Sequence, residues 1–499
     1  MKAGARAAAL AATFAMVALV GLGLPPRPVR VPDAPAQGGP FAWSQDSVWR
    51  ALESSYRAAR SDGCGRVEPA AARELSLLAA TVDGLDSLAL DPGQPVLRTI
   101  ESRFMSLGAP VAVCPGLLAE YVTLSGRLRD AVKRQSARWD LTDRAARDRL
   151  YRMLYGTRAA VEEVMRHHPE RVVALLPGRS EPSATPAATV HGVEVRSGDI
   201  LVSRGGYPTS ALIARGSDFP GNFSHIGLVH VDSVSGAVSV IEAHIEAGVA
   251  VTTADGYLRD KKLRIMVLRP RADLPQLRAD PLLPHRAASR ALQRARDEHI
   301  PYDFAMDYGD PSRLFCSEVA SSVYADHGLP LWMGISTISR PGLRRWLASL
   351  GVRHFATQEP SDLEYDPQLA VVAEWRDADA LQQDHIDNAV VDALLERADT
   401  GEGLTYAWYR LPPARLAKAY SALRVALGGH GPIPEGMSAA AALRHEAFVA
   451  RQRALAGEVR TAAMRWAAAA GYPAPYWVLV ELAREAAAGA DVHSGPGSP

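Results

Sequence analysis

The chain has 499 residues, of which 47% are hydrophobic and 22% are charged, with 55 basic and 55 acidic side chains. This composition is too apolar for a disordered protein, and the length allows two or three domains. Because the formal net charge is zero, no global field favours nucleic acid or an anionic membrane. There is also no nucleic-acid motif and no basic stripe, so no nucleic-acid partner is expected.

The first 40 residues are typical of an export segment followed by a linker. Lys2 and Arg6 precede an uncharged apolar run over 7–24, which ends at a Pro-Pro pair. This pattern predicts a signal peptide or a single N-terminal membrane anchor. An Ala-x-Ala cleavage motif at 34–36 lies well beyond the run, so cleavage and retention both stay open. We expect a periplasmic location in the bacterial envelope, either soluble or tethered to the inner membrane.

The rest of the chain divides by its pattern of apolar residues. Spacings of three and four over 41–177 predict a helical domain, and the Pro-, Ser- and Thr-rich stretch 178–190 predicts a linker. Short β-branched segments over 191–377, with separate helices, predict an α+β domain with a small antiparallel sheet. A second all-helical region follows over 378–490, and 491–499 is expected to be disordered.

Individual elements are predicted in each region. In the first helical domain the expected helices cover 47–59, 70–82, 95–105, 117–134 and 141–167. In the central domain the expected strands cover 193–203, 224–231, 237–243, 248–252, 263–268 and 369–375, and the expected helices 208–215, 285–299 and 316–327. The last region has expected helices at 385–397, 413–427, 439–461 and 477–488.

The chain contains three cysteines. Cys64 and Cys114 both lie in the first helical domain and are candidates for a disulfide. Cys316 is then left over. In an exported protein, which meets an oxidising compartment, an odd cysteine is a candidate reactive thiol.

Cys316 follows the turn sequence Asp-Pro-Ser and precedes an apolar helix stripe, which places it in the first turn of a helix. There the free backbone amides and the helix dipole would stabilise a thiolate. The same amides, with Ser317 next in the chain, would donate to an oxyanion. Glu318 is expected to be an acid at the helix N-terminus, not a base. A small buried residue is the alternative for the cysteine itself.

His225 is the candidate base for this thiol, because it begins an otherwise apolar strand. A hairpin turn follows that strand, and Glu242, His244 and Glu246 share one face of the returning strand. One of the three should lie across from His225 and orient its ring. Glu242 is the first choice because its apolar neighbours predict burial. His244 and Glu246 stay open as third members, and a purely structural histidine is the alternative for His225.

Five short motifs stand in a specific order in the central domain. They are GDIL at 198–201, SHIGL at 224–228, VIEA at 240–243, YD at 302–303 and FCSEV at 315–319. In this order they resemble the permuted papain-like hydrolases of the YiiX/YaeF type, over about 193–376. These are circularly permuted relatives of the NlpC cell-wall peptidases and are related also to lecithin–retinol acyltransferase.

The resemblance implies a role for each matching residue. Cys316 would be the nucleophile, His225 the base and Glu242 the polar third residue. Tyr302 matches a family tyrosine near the active site, where it would contact substrate or an oxyanion. Zinc binding by Cys316, His225 and His244 is an alternative, but no close ligand pair such as CxxC accompanies them. No metal and no cofactor are therefore expected.

The sequence supports three functional hypotheses. The first is an envelope cysteine hydrolase that cleaves an amide or peptide bond through an acyl-enzyme. The second is a lipid acyltransferase or esterase that uses the same thiol. The third is a non-catalytic binding module in which the helical flanks recognise a partner. The expected ligands are small molecules, cell-wall peptides or lipids. The oligomeric state is not predicted.

Overall fold

The computed structural model of the protein describes residues 46–331 and 336–493, together with 22, 24, 26, 31 and 39–41. The predicted export segment therefore lies almost entirely outside the described residues, and so does the predicted tail beyond residue 493. Within the part of the chain that is described, no helix is long and apolar enough to cross a lipid bilayer.

The first described region is a helical layer. Its helices are α1 (Asp46–Asp62), α2 (Cys64–Asp83), α3 (Pro95–Val113), α4 (Leu118–Ser136), α5 (Arg144–Tyr151) and α6 (Thr157–His167). Their apolar faces enclose a core in which the rings of Phe104 and Tyr121 stack with centroids 4.4 Å apart. A disulfide joins Cys64 at the start of α2 to Cys114 at the end of α3, with Cα atoms 5.0 Å apart. The two helices are thereby clamped at one end.

The central region is organised around an antiparallel sheet. The strands are β1 (Leu175–Pro177), β2 (Ala187–Val190), β3 (Val193–Arg196), β4 (Ile200–Gly205), β5 (His225–Val231), β6 (Val238–His244), β7 (Gly248–Thr253), β8 (Lys262–Pro270), β9 (Ser336–Thr337), β10 (Ala356–Thr357) and β11 (Leu369–Arg376). The main sheet has the order β1-β11-β8-β4-β5-β6-β7, while β2–β3 and β9–β10 form separate pairs.

Both faces of the sheet are covered, as alternation along the strands requires. In β4, Ile200 and Val202 point into one core and Leu201 into the other. The helices of this region are α7 (Pro208–Arg215), α8 (Ala254–Arg259), α9 (Pro275–Ala279), α10 (Leu283–Asp297), α11 (Glu318–Asp326), α12 (Pro341–Leu350) and α13 (Asp362–Tyr365). Helices α10 and α11 pack on the first face. The α+β fold with helical regions at both ends confirms the predicted fold class.

The last region is again helical, as predicted. It contains α14 (Ala378–Asp399), α15 (Leu411–Ala426), α16 (Ala439–Ala470) and α17 (Tyr476–His493). The side chain of Ser438 caps α16 by accepting from the amide of Ala441, and Gly471 ends it in the left-handed conformation with φ +75°. Helix α14 packs against α16, α17, α12 and α7, so this region is continuous with the central one.

Two predicted boundaries are wrong in detail. The predicted linker 178–190 contains strand β2. Its first residue, Gly178, continues the pairing of β1 with β11, because its amide donates to Val372 at 2.8 Å. The predicted strand 193–203 is two strands, since Gly198 between them turns the chain with φ +99°. Proline-, serine- and threonine-rich composition indicated a linker, but hydrogen bonds to distant strands order the segment.

A buried cluster of charges joins the three regions. Arg264 on β8 donates to Glu162 on α6 at 2.6 Å and to Asp384 on α14 at 2.6 Å. Arg376 on β11 donates to the same Glu162 oxygen at 3.0 Å. Burial alone would raise the pKa of Glu162, but the surrounding guanidinium groups lower it to about 2. Glu162 therefore stays ionised among buried cations.

We predict that Arg264→Met weakens the fold strongly, because it leaves the carboxylates of Glu162 and Asp384 buried without their main partner. Breaking such a buried cluster from one side costs about 3–5 kcal/mol. Urea unfolding followed by circular dichroism measures the change. The matched control is Arg66→Met, since the Arg66–Asp62 pair is exposed and such pairs contribute little. Equal effects of the two substitutions would contradict the prediction.

Candidate active site

Three neighbouring strands position the candidate base and its carboxylate. His225 begins β5 and pairs with Ser203 on β4, while Gly227 pairs with Glu242 on β6. Because side chains two residues apart share a face, His225 and Glu242 are diagonal neighbours on one side of the sheet. Gly227 has no side chain to occupy that face, and a Cβ there would lie 3.3 Å from the ring of Tyr257. The sheet register thus brings the two groups together.

Glu242 hydrogen-bonds to two histidines. Its Oε2 is 2.6 Å from Nε2 of His225, and its Oε1 is 3.1 Å from Nε2 of His244. Burial alone would raise the pKa of Glu242, but these two hydrogen bonds lower it to about 2. His244 is partly exposed, and Glu246 lies exposed in the turn that follows β6. Glu242 is therefore the partner of His225 among the three candidates.

His225 is held neutral with a defined tautomer. A carboxylate can only accept, so Nε2 of His225 carries the proton that is shared with Glu242. Burial lowers the pKa of His225, and Glu242 only partly opposes that effect. The remaining nitrogen, Nδ1, therefore has a free lone pair and can accept a proton.

Cys316 lies against the backbone that carries His225. Its Sγ is 3.9 Å from the carbonyl oxygen of Ser224, and it also interacts with the amide of Ile226. The residue precedes α11 and is not within its first turn as predicted, because Ser317 is the N-cap. Glu318 accepts from the amide of Phe315 at 3.0 Å and so fixes this turn. The thiol faces the two residues that flank the candidate base.

The thiol is protonated at rest, which corrects the expectation from sequence. Cys316 is 5% exposed, and burial raises its pKa to about 12, although polar groups of Ser317 and Ile226 oppose this. Desolvation of the thiolate outweighs the amides and the helix terminus. The thiol and the imidazole are therefore both neutral at rest.

Tyr302 and Ser317, predicted as substrate contacts, both adjoin the thiol. The Tyr302 phenol is close enough to Cys316 to interact with it electrostatically. The Ser317 hydroxyl is buried and lies close enough to the Cys316 thiol to oppose the rise in its pKa. A buried donor beside a thiol is suited to a developing oxyanion.

Two residues near the site were missed by the sequence analysis. Tyr257 is buried, its ring lies 6.5 Å from that of His225, and its hydroxyl donates to Ser203 at 2.9 Å. Glu359 is buried and raises the pKa of the Cys316 thiol. Neither stands in a recognisable motif, and no signal in the sequence places them at the site.

No metal site accompanies this arrangement in the described part of the chain. No group of three or more His, Cys, Asp or Glu residues there has the geometry to hold a metal ion. The candidate zinc ligands His225 and His244 are both hydrogen-bonded to Glu242.

Comparison with known proteins identifies the central domain. Residues 194–373 match the model of a family described as permuted papain-like amidase enzyme, YaeF/YiiX, C92 family. A solved structure, that of metalloprotein yiiX from Escherichia coli O157:H7, is 21% identical over 36% of this chain and 97% of that chain, with a TM-score of 0.28. None of the curated proteins compared with the chain matches it.

We predict that Cys316 alkylates slowly at neutral pH and that its rate keeps rising between pH 7 and 10. With a pKa of about 12, the thiolate fraction increases about tenfold per pH unit over that range. The alkylation rate is measured by treating the native protein with iodoacetamide and following its intact mass. The Cys316→Ala variant is the control without the thiol. A rate that is already constant below pH 7 would instead indicate a resting thiolate–imidazolium pair.

Proposed function

Residues 194–373 form a domain of the permuted papain-like amidase family, and from this premise we propose that the protein is a cysteine hydrolase that cleaves an amide bond through Cys316, His225 and Glu242. One observation carries the proposal. A buried carboxylate holds His225 by one ring nitrogen at 2.6 Å, and the thiol packs against the residues on either side of that histidine.

The proposed reaction uses the neutral thiol and the neutral imidazole. As Cys316 attacks the substrate carbonyl, its proton passes to Nδ1 of His225, and Glu242 stabilises the imidazolium. The Ser317 amide and hydroxyl would bind the oxyanion. The imidazolium then protonates the leaving amine, the C–N bond breaks, and an acyl-enzyme remains. A water molecule, deprotonated by His225, hydrolyses the thioester and releases the acid and the free thiol.

An acyl transfer reaction is the second candidate. The first half of the mechanism would be the same, and an alcohol or amine would replace water as the acceptor. The geometry of the triad does not separate the two. We keep amide hydrolysis first because the matching family model is described as an amidase. The binding-module hypothesis gives no reason for a buried thiol, imidazole and carboxylate in this arrangement.

We also propose an envelope location, with the N-terminal apolar run as the export segment. The Cys64–Cys114 disulfide supports it, because stable disulfides form in oxidising compartments. The expected result of cell fractionation is a protein in the periplasmic or inner-membrane fraction whose Cys64 and Cys114 resist alkylation until a reductant is added. Recovery in the cytoplasm with three free thiols would contradict this.

We predict that substitutions of Cys316, His225 and Glu242 lower turnover to different degrees. Cys316→Ala and His225→Asn should each lower kcat on an amide substrate by about 10⁴-fold or more, and Glu242→Gln by about 10²–10⁴-fold, because the amide no longer stabilises an imidazolium. Labelling of each variant is measured with a thiol-directed activity probe. Mass spectrometry of the trapped acyl-enzyme shows whether the variant still forms it.

The chain offers matched controls for two of these substitutions. Glu246→Gln alters an exposed carboxylate on the same hairpin, and His191→Asn alters an exposed histidine in a turn. Both should retain native labelling. If the native protein and Cys316→Ala label equally, the nucleophile assignment is wrong. If Glu242→Gln behaves like Glu246→Gln, the carboxylate is structural only.

A further inference from the structure

An apolar cavity of about 110 Å³ adjoins the candidate active site. We call it the side cavity. Tyr302 and Glu359 line it, and both interact electrostatically with the Cys316 thiol. Its other walls are mainly aliphatic and aromatic, with Ile213 from α7 and Leu350 from α12 among them. The cavity therefore lies beside the candidate site, and its walls are mainly apolar.

The C-terminal helical region closes this cavity. Met437 and His445 contribute to its wall, and His445 Nε2 is 2.6 Å from the Thr209 hydroxyl of α7. Gly436 lies so close to Phe304 that a Cβ there would collide with the ring. A region outside the matched family domain thus supplies part of the surface that a substrate would meet.

Glu359 is one of the polar residues of the side cavity, together with Thr209, Asp303 and His445. It is 6% exposed, and none of the described residues hydrogen-bonds to its carboxyl group. Burial, and secondarily the neighbouring Asp362, raise its pKa well above the usual range. A buried carboxyl in that state is an uncharged hydrogen-bond donor, and no residue in the described part of the chain accepts from it.

We propose that the side cavity receives the acyl group whose carbonyl Cys316 attacks, that this group is compact, apolar and uncharged, and that Glu359 donates a hydrogen bond at its carbonyl end. This inference rests on the proposed function and specifies the substrate class. The cavity volume limits the size of the acyl group, since a dry apolar cavity of about 150 Å³ holds one benzene molecule. A branched acyl group of four or five carbons fits within about 110 Å³, and a long fatty acyl chain does not.

The test uses chloromethyl ketones of graded acyl groups on the full-length protein. Each reagent places its acyl group beside the thiol, and attack by Cys316 forms a carbon–sulfur bond and expels chloride. The groups are acetyl, 3-methylbutanoyl, hexanoyl, 6-aminohexanoyl and dodecanoyl, and intact mass gives the alkylation rate. We expect 3-methylbutanoyl or hexanoyl to react at least about tenfold faster than dodecanoyl, and hexanoyl faster than 6-aminohexanoyl.

Substitutions in the cavity wall should change the preference for acyl chain length. Ile213→Trp fills the cavity and should lower the alkylation rate with the hexanoyl reagent about tenfold. The rate with the acetyl reagent should stay unchanged, which also shows that the thiol is intact. Met437→Ala enlarges the cavity and should shift the optimum to a longer chain. The matched control is Leu416→Ala, because Leu416 is exposed on α15. Unchanged chain-length preference in both wall variants would overturn the inference.

Glu359 is tested by a pair of near-isosteric substitutions. Glu359→Gln keeps an N–H donor and should stay within a few fold of the native rate, whereas Glu359→Met loses the donor and should fall about tenfold or more. The native protein could instead react faster with the 6-aminohexanoyl reagent than with the hexanoyl reagent, and Glu359→Gln could lose that preference. This result would show that Glu359 is a carboxylate that binds a cation, and it would overturn the proposal of an uncharged group. Failure of every reagent to alkylate Cys316 would instead refute the proposed function.

Discussion

The buried charges around Arg264 are the interaction on which the rest of the structure depends. This guanidinium lies on the central sheet, and its partners are Glu162 from the first helical region and Asp384 from the last. A buried carboxylate or guanidinium without a partner is too costly to persist. The three regions must therefore assemble together, and the sheet that carries His225 and Glu242 is tied to both helical regions through Arg264.

The same burial sets the chemistry of the candidate site. Taken out of water, Cys316 and His225 both favour their neutral forms, while Glu242 remains ionised because two histidines hydrogen-bond to it. The negative charge of Glu242 thus lies behind His225. This arrangement stabilises a proton on the imidazole once the thiol has given it up, and it leaves the resting thiol unreactive toward solvent.

The groups of the proposed chemistry lie in the stretch that matches the family model, whereas the C-terminal region contributes to the side cavity. The matched residues 194–373 contain the thiol, the imidazole and the carboxylate. Met437 and His445, which close the side cavity, come from beyond that domain.

The sequence by itself determined the features that depend on neighbouring residues. The strand beginning at His225, the face that carries Glu242 and the turn before Cys316 follow from local periodicity and turn residues, so these candidates and the α+β class were accessible. Tertiary structure alone decided which of Glu242, His244 and Glu246 meets His225, because the sheet register selects it. It also decided the protonation of Cys316, the order of the segment 178–190 and the place of Glu359. Burial and long-range hydrogen bonds arise from residues far apart in the chain, and no local pattern encodes them.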